Sequence, residues 1–145
     1  MKRFSVKSVN ISENNGDPKR PVEIIICKKD HGVVGDSHAG PGLRQVSLLA
    51  FEDIAAMRAR GAPVDCGSFA ENITTEGIGL AALPVGTRLT IGKVELEIAQ
   101  IGKECHTGCA IRQQIGDCVM PRHGVFAKVI KEGEIKRGDS GTYRV

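Results

Sequence analysis

Apolar and polar side chains alternate most cleanly at Val94–Ala99, where Val94, Leu96 and Ile98 alternate with Glu95, Glu97 and Ala99. In an extended chain that pattern buries one face and wets the other. Thr87–Ile91 precedes this strand across Gly92-Lys93, the two-residue spacing of a tight hairpin. Phe4–Ile11 is predicted to form a first strand with an irregularity, because Val6 and Val9 fall out of period-two register. Val22–Lys28, dominated by β-branched residues, reads as a buried strand, and Arg44–Leu49 as a further one. Val125–Ile130 and Ile135–Val145 are expected to pair around a turn at Glu132-Gly133.

One segment carries helical periodicity. In Ala50–Arg60, Phe51, Ile54 and Met57 share a face, Glu52 and Asp53 fall in the first turn, Arg58 and Arg60 in the last, and Gly61 follows as a stop. Gly108–Ile115 is a second, shorter helix candidate. Ser12–Lys19 reads as a polar turn and the glycine-rich His31–Leu43 as a loop. The sum is a mainly β chain of about seven or eight short strands with one medium helix, expected to form a single domain over residues 1–145. A closed or nearly closed β-barrel of about seven strands would hide the sheet edges.

Composition narrows the function. Four Phe, one Tyr and no Trp supply few stacking platforms, and the net charge of +3 is not gathered into a basic stripe, so no nucleic-acid partner is expected. A small anionic ligand suits that mild excess better. The longest apolar runs, such as Ile24–Cys27 and Val46–Phe51, are too short to cross a bilayer, so no membrane partner is expected either. Five irregularly spaced cysteines do not make a disulfide framework, and no signal-peptide-length apolar stretch follows Met1. A reducing cytoplasm is the expected compartment.

The densest cluster of reactive side chains is Gln100–Cys109. Cys105 there is followed by His106, preceded by Lys103, and bounded by Gly102 and Gly108. Neighbouring cations favour the thiolate, the form that attacks electrophiles and binds soft metals. Cys105, Cys109, Cys118 and His123 could instead chelate zinc, although Cys118-x4-His123 fits a zinc hook loosely. Cys109 and Cys118 read more simply as small buried hydrophobes. A second segment, Gly35-Asp-Ser-His-Ala-Gly40 with Gly42 and Arg44, can aim backbone N–H groups and a guanidinium at an anion, though most such loops are only turns. Glu71 and Asn72 are either strand-edge polar groups or, for the Asn72 amide, a reader of a heterocycle edge. Arg112, Arg122 and His123 would form a phosphate rim or simply be solvated. There is no P-loop ending, dinucleotide fingerprint or serine nucleophile elbow.

Taken together, Gly35–Gly40, Arg44–Leu49, Phe69–Ile73, Leu83–Thr87, Gln100–Cys105, Gly124-Val-Phe-Ala and Gly138-Asp139 resemble the MOSC domain, the module named after the C-terminal part of molybdenum cofactor sulfurases. The likeness runs from about Val22 to the C-terminus. It implies a compact barrel that handles the molybdenum cofactor, with Cys105 matching the family cysteine that ligates molybdenum or carries sulfur as a persulfide. The pterin and its phosphate would lie across His38, Gly40, Arg44, Asn72, Lys103 and Arg112. Implied partners are the cofactor or the proteins that build and sulfurate it. No pyridoxal-phosphate domain is present in this chain, so sulfur would come from a donor. The resemblance also admits a stand-alone molybdoenzyme that reduces N-hydroxylated compounds with outside electrons, and the cysteine set a non-enzymatic zinc- or ligand-binding module. Whether the chain performs sulfur transfer or molybdenum-dependent reduction is open at this point.

Overall fold

A computed structural model describes residues 2–13, 19–37, 39–42, 44–102 and 124–144. Its strands are β1 (Lys2–Ile11), β2 (Arg20–Val22), β3 (Ile24–Lys28), β4 (Gly32–Val33), β5 (Val46–Ala50), β6 (Ile73–Glu76), β7 (Arg88–Ile91), β8 (Val94–Ile101), β9 (Val125–Lys131), β10 (Gly133–Lys136) and β11 (Ser140–Arg144). A helix, α1 (Phe51–Ala59), follows β5, and a 3-10 turn spans Leu80–Ala82. Seven strands close a ring in the order β11-β7-β8-β9-β5-β6-β1, with β11 pairing back onto β1. β2 adds to β1 outside that ring, and β10-β3-β4 form a separate three-stranded sheet.

The alternating strand behaves as its sequence predicts: Val94, Leu96 and Ile98 of β8 are fully buried, and Ile91 pairs with Val94 across Gly92-Lys93. The irregularity in β1 is also present. Its register against β6 shifts between Val6 and Ser8, which lets Val6 and Val9 both enter the barrel core. One extra residue on a strand reverses the side-chain alternation beyond it.

β5 and β6 are parallel and are joined over α1. Such a crossover needs a helix-length connection. Ile54 and Met57 of α1 are buried against Leu49, Phe69 and Phe126 in a second cluster outside the barrel. Burial of each such side chain contributes about 1.5–3 kcal/mol. The helix ends where its pattern ends: Gly61 takes φ +96° and its N–H donates to Arg58 O. A left-handed residue there satisfies the last carbonyls.

Two expectations are corrected. Val22–Lys28 is not one buried strand; it breaks at Glu23, and in β3 only Ile25 and Cys27 face inward while Ile24 and Ile26 remain 39% and 49% exposed. Nor do Val125–Ile130 and Ile135–Val145 pair with each other. β9 already has β8 on one edge and β5 on the other, so β10 pairs with β3 and β11 with β1 and β7. The His31–Leu43 loop also contains the short β4. Gly108–Ile115 lies outside the described residues. Among those described, no helix is long and apolar enough to cross a membrane.

Candidate functional site

Arg44 lies two residues before β5 and contacts residues near the ends of β8 and β9. Its Nε donates to Gln100 Oε1 at 3.2 Å, and its guanidinium lies 5.2 Å from the centre of the Phe126 ring. Gln100 and Phe126 are themselves cross-strand partners. Gln100 Nε2 donates to Gly102 O at 2.8 Å, and Gly102 N–H donates to Gly124 O at 2.6 Å. Residues 103–123 are therefore bracketed by two hydrogen-bonded glycines beside Arg44. The hydrogen bond on Arg44 uses Nε; Nη1 and Nη2 take no acceptor among the described residues. An exposed guanidinium with those two nitrogens not engaged by the described residues suits an oxyanion.

Gln45 holds the approach to this group. Its Nε2 donates to Gly42 O at 3.1 Å and its Oε1 accepts from Val129 N–H at 3.0 Å, which ties the loop to β9. Gly40 and Gly42 have φ of +153° and +116°, and a Cβ at either would meet nothing within 4 Å. Their backbone is open to close approach. Gly40 N–H is already used, donating to His31 O.

Beneath the loops runs a buried polar network. Lys19, 3% exposed, places Nζ at 2.9 and 3.0 Å from the two Asp36 oxygens, and Ser12 N–H donates to Asp36 Oδ1 at 3.0 Å. Burial pushes the Asp36 carboxyl up, but the Lys19 ammonium, the Ser12 N–H and the Asn72 amide outweigh it and hold the group below its ordinary value. Asn72, 1% exposed, accepts from Ser47 N–H and Oγ–H at Oδ1 and donates from Nδ2 to Asn10 O. Its amide thus fastens β5 to β1.

Glu71 lies in the same layer. Its Oε2 accepts from Gly67 N–H at 2.9 Å and from the Thr74 hydroxyl at 2.7 Å, while Oε1 has no partner among the described residues. Burial pushes this carboxyl up despite those donors. Gly67 is needed for the close approach: at φ +89° a Cβ there would sit 2.1 Å from Lys19 O.

Of the residues singled out from sequence, Arg44 is at the rim, Gly40 is in the open loop, and Asn72 is in the buried layer below. His38, Lys103, Cys105, Arg112 and the remaining zinc candidates Cys109, Cys118 and His123 lie outside the described residues, as do His106 and Arg122. The two described thiols are unsuited to reaction. Burial pushes Cys27 up to about 12, and burial, aided by the carboxylates of Asp65 and Glu71, raises Cys66. No group of three metal-ligating side chains exists among the described residues. An apolar groove of about 480 Å³ between Ala50–Asp53 and Gly77–Ala82 shares no residue with the Arg44 group, and its Glu52 and Asp53 would repel an anion.

Sequence reasoning missed Lys19, Gln45, Gln100 and Phe126. Lys19 stood in a stretch read as a solvated turn. Gln100 is a single polar residue at a strand end, a position that polar residues fill without any special role. Gln45, Gln100 and Phe126 lie in stretches that resemble the family, but their residue types alone did not single them out.

A family model described as the MOSC domain matches residues 35–142. Among solved structures, the YUAD protein from Bacillus subtilis superposes with a TM-score of 0.81 at 15% identity, covering 97% of this chain and 94% of that one. YiiM from Geobacillus stearothermophilus gives 0.73 at 19% identity, covering 98% and 75%, and YiiM from Escherichia coli 0.71 at 15%, covering 100% and 71%. At such identities the likeness is one of fold. No curated protein sequence matches the chain. The family match spans most of the sequence, Asp36, Arg44, Asn72 and Gln100 included, and by it this chain belongs to the MOSC domain family.

Proposed function

We propose that this protein binds the molybdenum cofactor and carries sulfur for its maturation or delivery, with Cys105 as the reactive thiol. The observation that carries the reading is that Arg44 is held by Gln100, which in turn donates to Gly102 O. Cys105 follows Gly102 by three residues in the sequence. The held guanidinium and the key thiol are linked through one short stretch of sequence, Gln100–Cys105. The described residues fit the anionic end of such a cofactor: Arg44 offers Nη1 and Nη2, and Gly40 and Gly42 leave backbone open to approach.

In this reading His38, Gly40, Arg44, Lys103 and Arg112 seat the pterin and its phosphate, while Asn72 acts from below by fixing β5 to β1. When bound, the cofactor supplies a molybdenum centre for which a thiolate is a suitable soft ligand. Sulfur loading needs only a persulfide donor. The Cys105 thiolate attacks the outer sulfur of the donor R–S–SH, the donor S–S bond breaks, and R–S⁻ leaves as Cys105 becomes the persulfide. Lys103 and a protonated His106 favour the attacking thiolate electrostatically. The partners are the cofactor and the proteins that build or sulfurate it, in a reducing cytoplasm.

Cyanolysis tests this. Protein incubated with a persulfide donor and desalted is expected to release thiocyanate in proportion to protein, and Cys105→Ser to release almost none. Equal release from the variant would remove Cys105 from the mechanism.

A further inference from the structure

We propose that Gln100 and Phe126 are positioning residues that aim Arg44 at an anionic ligand while leaving its charge unspent, an inference that rests on the cofactor reading above. Two contacts hold the guanidinium. The Nε–H···Oε1 bond from Arg44 to Gln100 anchors one end of the group, and the Phe126 ring, 5.2 Å from the guanidinium carbon to its centre, restricts where the rest can go. Gln100 is in turn held by its own Nε2–H bond to Gly102 O and by β-pairing opposite Phe126. A free arginine side chain has many rotamers to lose on binding, and one already held loses fewer.

The chemical identity of the acceptor matters as much as its place. Most held arginines are held by carboxylates, which cancel the charge they orient. Gln100 offers the same kind of acceptor oxygen on a neutral amide. An aromatic face likewise attracts the cation without neutralising it. The arrangement thus orients a full positive charge, which is what selection of a phosphate-bearing ligand over a neutral one requires.

The contrast between two substitutions follows. Gln100→Ala frees the guanidinium but leaves its charge; Gln100→Glu keeps an acceptor for Nε but cancels the charge and repels the ligand. A residue that served only the strand end would tolerate Glu as well as Ala.

The experiment measures retention of molybdenum cofactor released from a purified molybdoenzyme, read as bound molybdenum and bound pterin after equilibrium dialysis, with thermal midpoints alongside. Gln100→Ala is expected to weaken binding about tenfold, and Gln100→Glu by more than that, with midpoints close to wild type. Phe126→Leu, which keeps apolar bulk against Leu49 and Ile54, is expected to weaken it several-fold. In an Arg44→Ala background, Gln100→Ala should have no further effect, because its action passes through Arg44. Wild-type binding with both Gln100 variants unaffected would overturn the positioning role and leave the cofactor reading standing. An equal loss from Gln100→Ala with and without Arg44 would assign Gln100 a purely structural role. Failure of the wild type itself to retain the cofactor would sink the reading and this inference together.

Discussion

Lys19→Met tests how much the buried ion pair holds the loops in place. The substitution keeps most of the apolar stem and removes the ammonium, leaving Asp36 with Ser12 N–H as a backbone donor in a layer where both side chains have 0% exposure. Breaking a buried pair by removing one partner costs about 3–5 kcal/mol, because the surviving charge loses its counter-ion. For a chain of 145 residues that corresponds to a fall in thermal midpoint of about 10–15 °C. The loss should depend on pH. In the wild type the folded Asp36 carboxyl lies below 3.8, so its contribution is present above that unfolded value and fades as pH falls through the folded one. Without Lys19, burial dominates and the folded carboxyl takes up its proton above the unfolded value. The penalty should then shrink as pH falls from about 7 to about 4. Lys19→Met with Asp36→Leu should recover much of the loss but not all, since Ser12 N–H would stand orphaned at a cost of about 1–3 kcal/mol. Urea denaturation of the three proteins at both pH values supplies the numbers. A single-variant cost below about 1 kcal/mol, or one that does not change with pH, would refute the reasoning.

Three further outcomes are expected. Glu71→Gln should flatten a pH dependence of opposite sign: the wild-type carboxyl is raised above 4.5, so its stabilising proton is fully held below that value and lost as pH rises through the folded one. Parallel stability curves for the two proteins would contradict this. Gly67→Ala should cost well over about 2 kcal/mol, because its Cβ would collide with Lys19 O at 2.1 Å, whereas Gly61→Ala, at a similar φ but in open space, should cost only about 1–2 kcal/mol by denaturant titration. Cys27, pushed up to about 12, should hold about one part in ten thousand as thiolate near pH 8. Mass spectrometry after brief alkylation should find it unmodified until the protein unfolds.

Sequence patterns carried furthest where one strand face is buried and the other is wet. The β8 alternation and the α1 stripe of Ile54 and Met57 were legible because each reports local geometry directly. Even the β1 irregularity was visible, since Val6 and Val9 cannot share a face without a bulge. Pairing was not legible. β10 docks on β3, about a hundred residues away in the chain, and nothing in Gly133–Lys136 names that partner. Arg44 was found through its charge and the glycines before it. Gln100 and Lys19 were not, because their roles depend on neighbours brought from distant segments. A lysine in a polar turn is ordinarily solvated, and only Asp36 arriving from the next loop makes burial tolerable.

Closure of the ring between β1 and β11 also has a consequence during synthesis. Lys2–Ser5 are made well before their partners Ser140–Tyr143, with the other strands of the ring lying between them in the chain. The β7–β8 hairpin can form locally, within microseconds of emerging. β1 must wait with one edge unpaired, and non-local closure of this kind folds slowly and leaves the nascent chain prone to wrong associations. Ring closure therefore waits at one seam until both of its strands have been made.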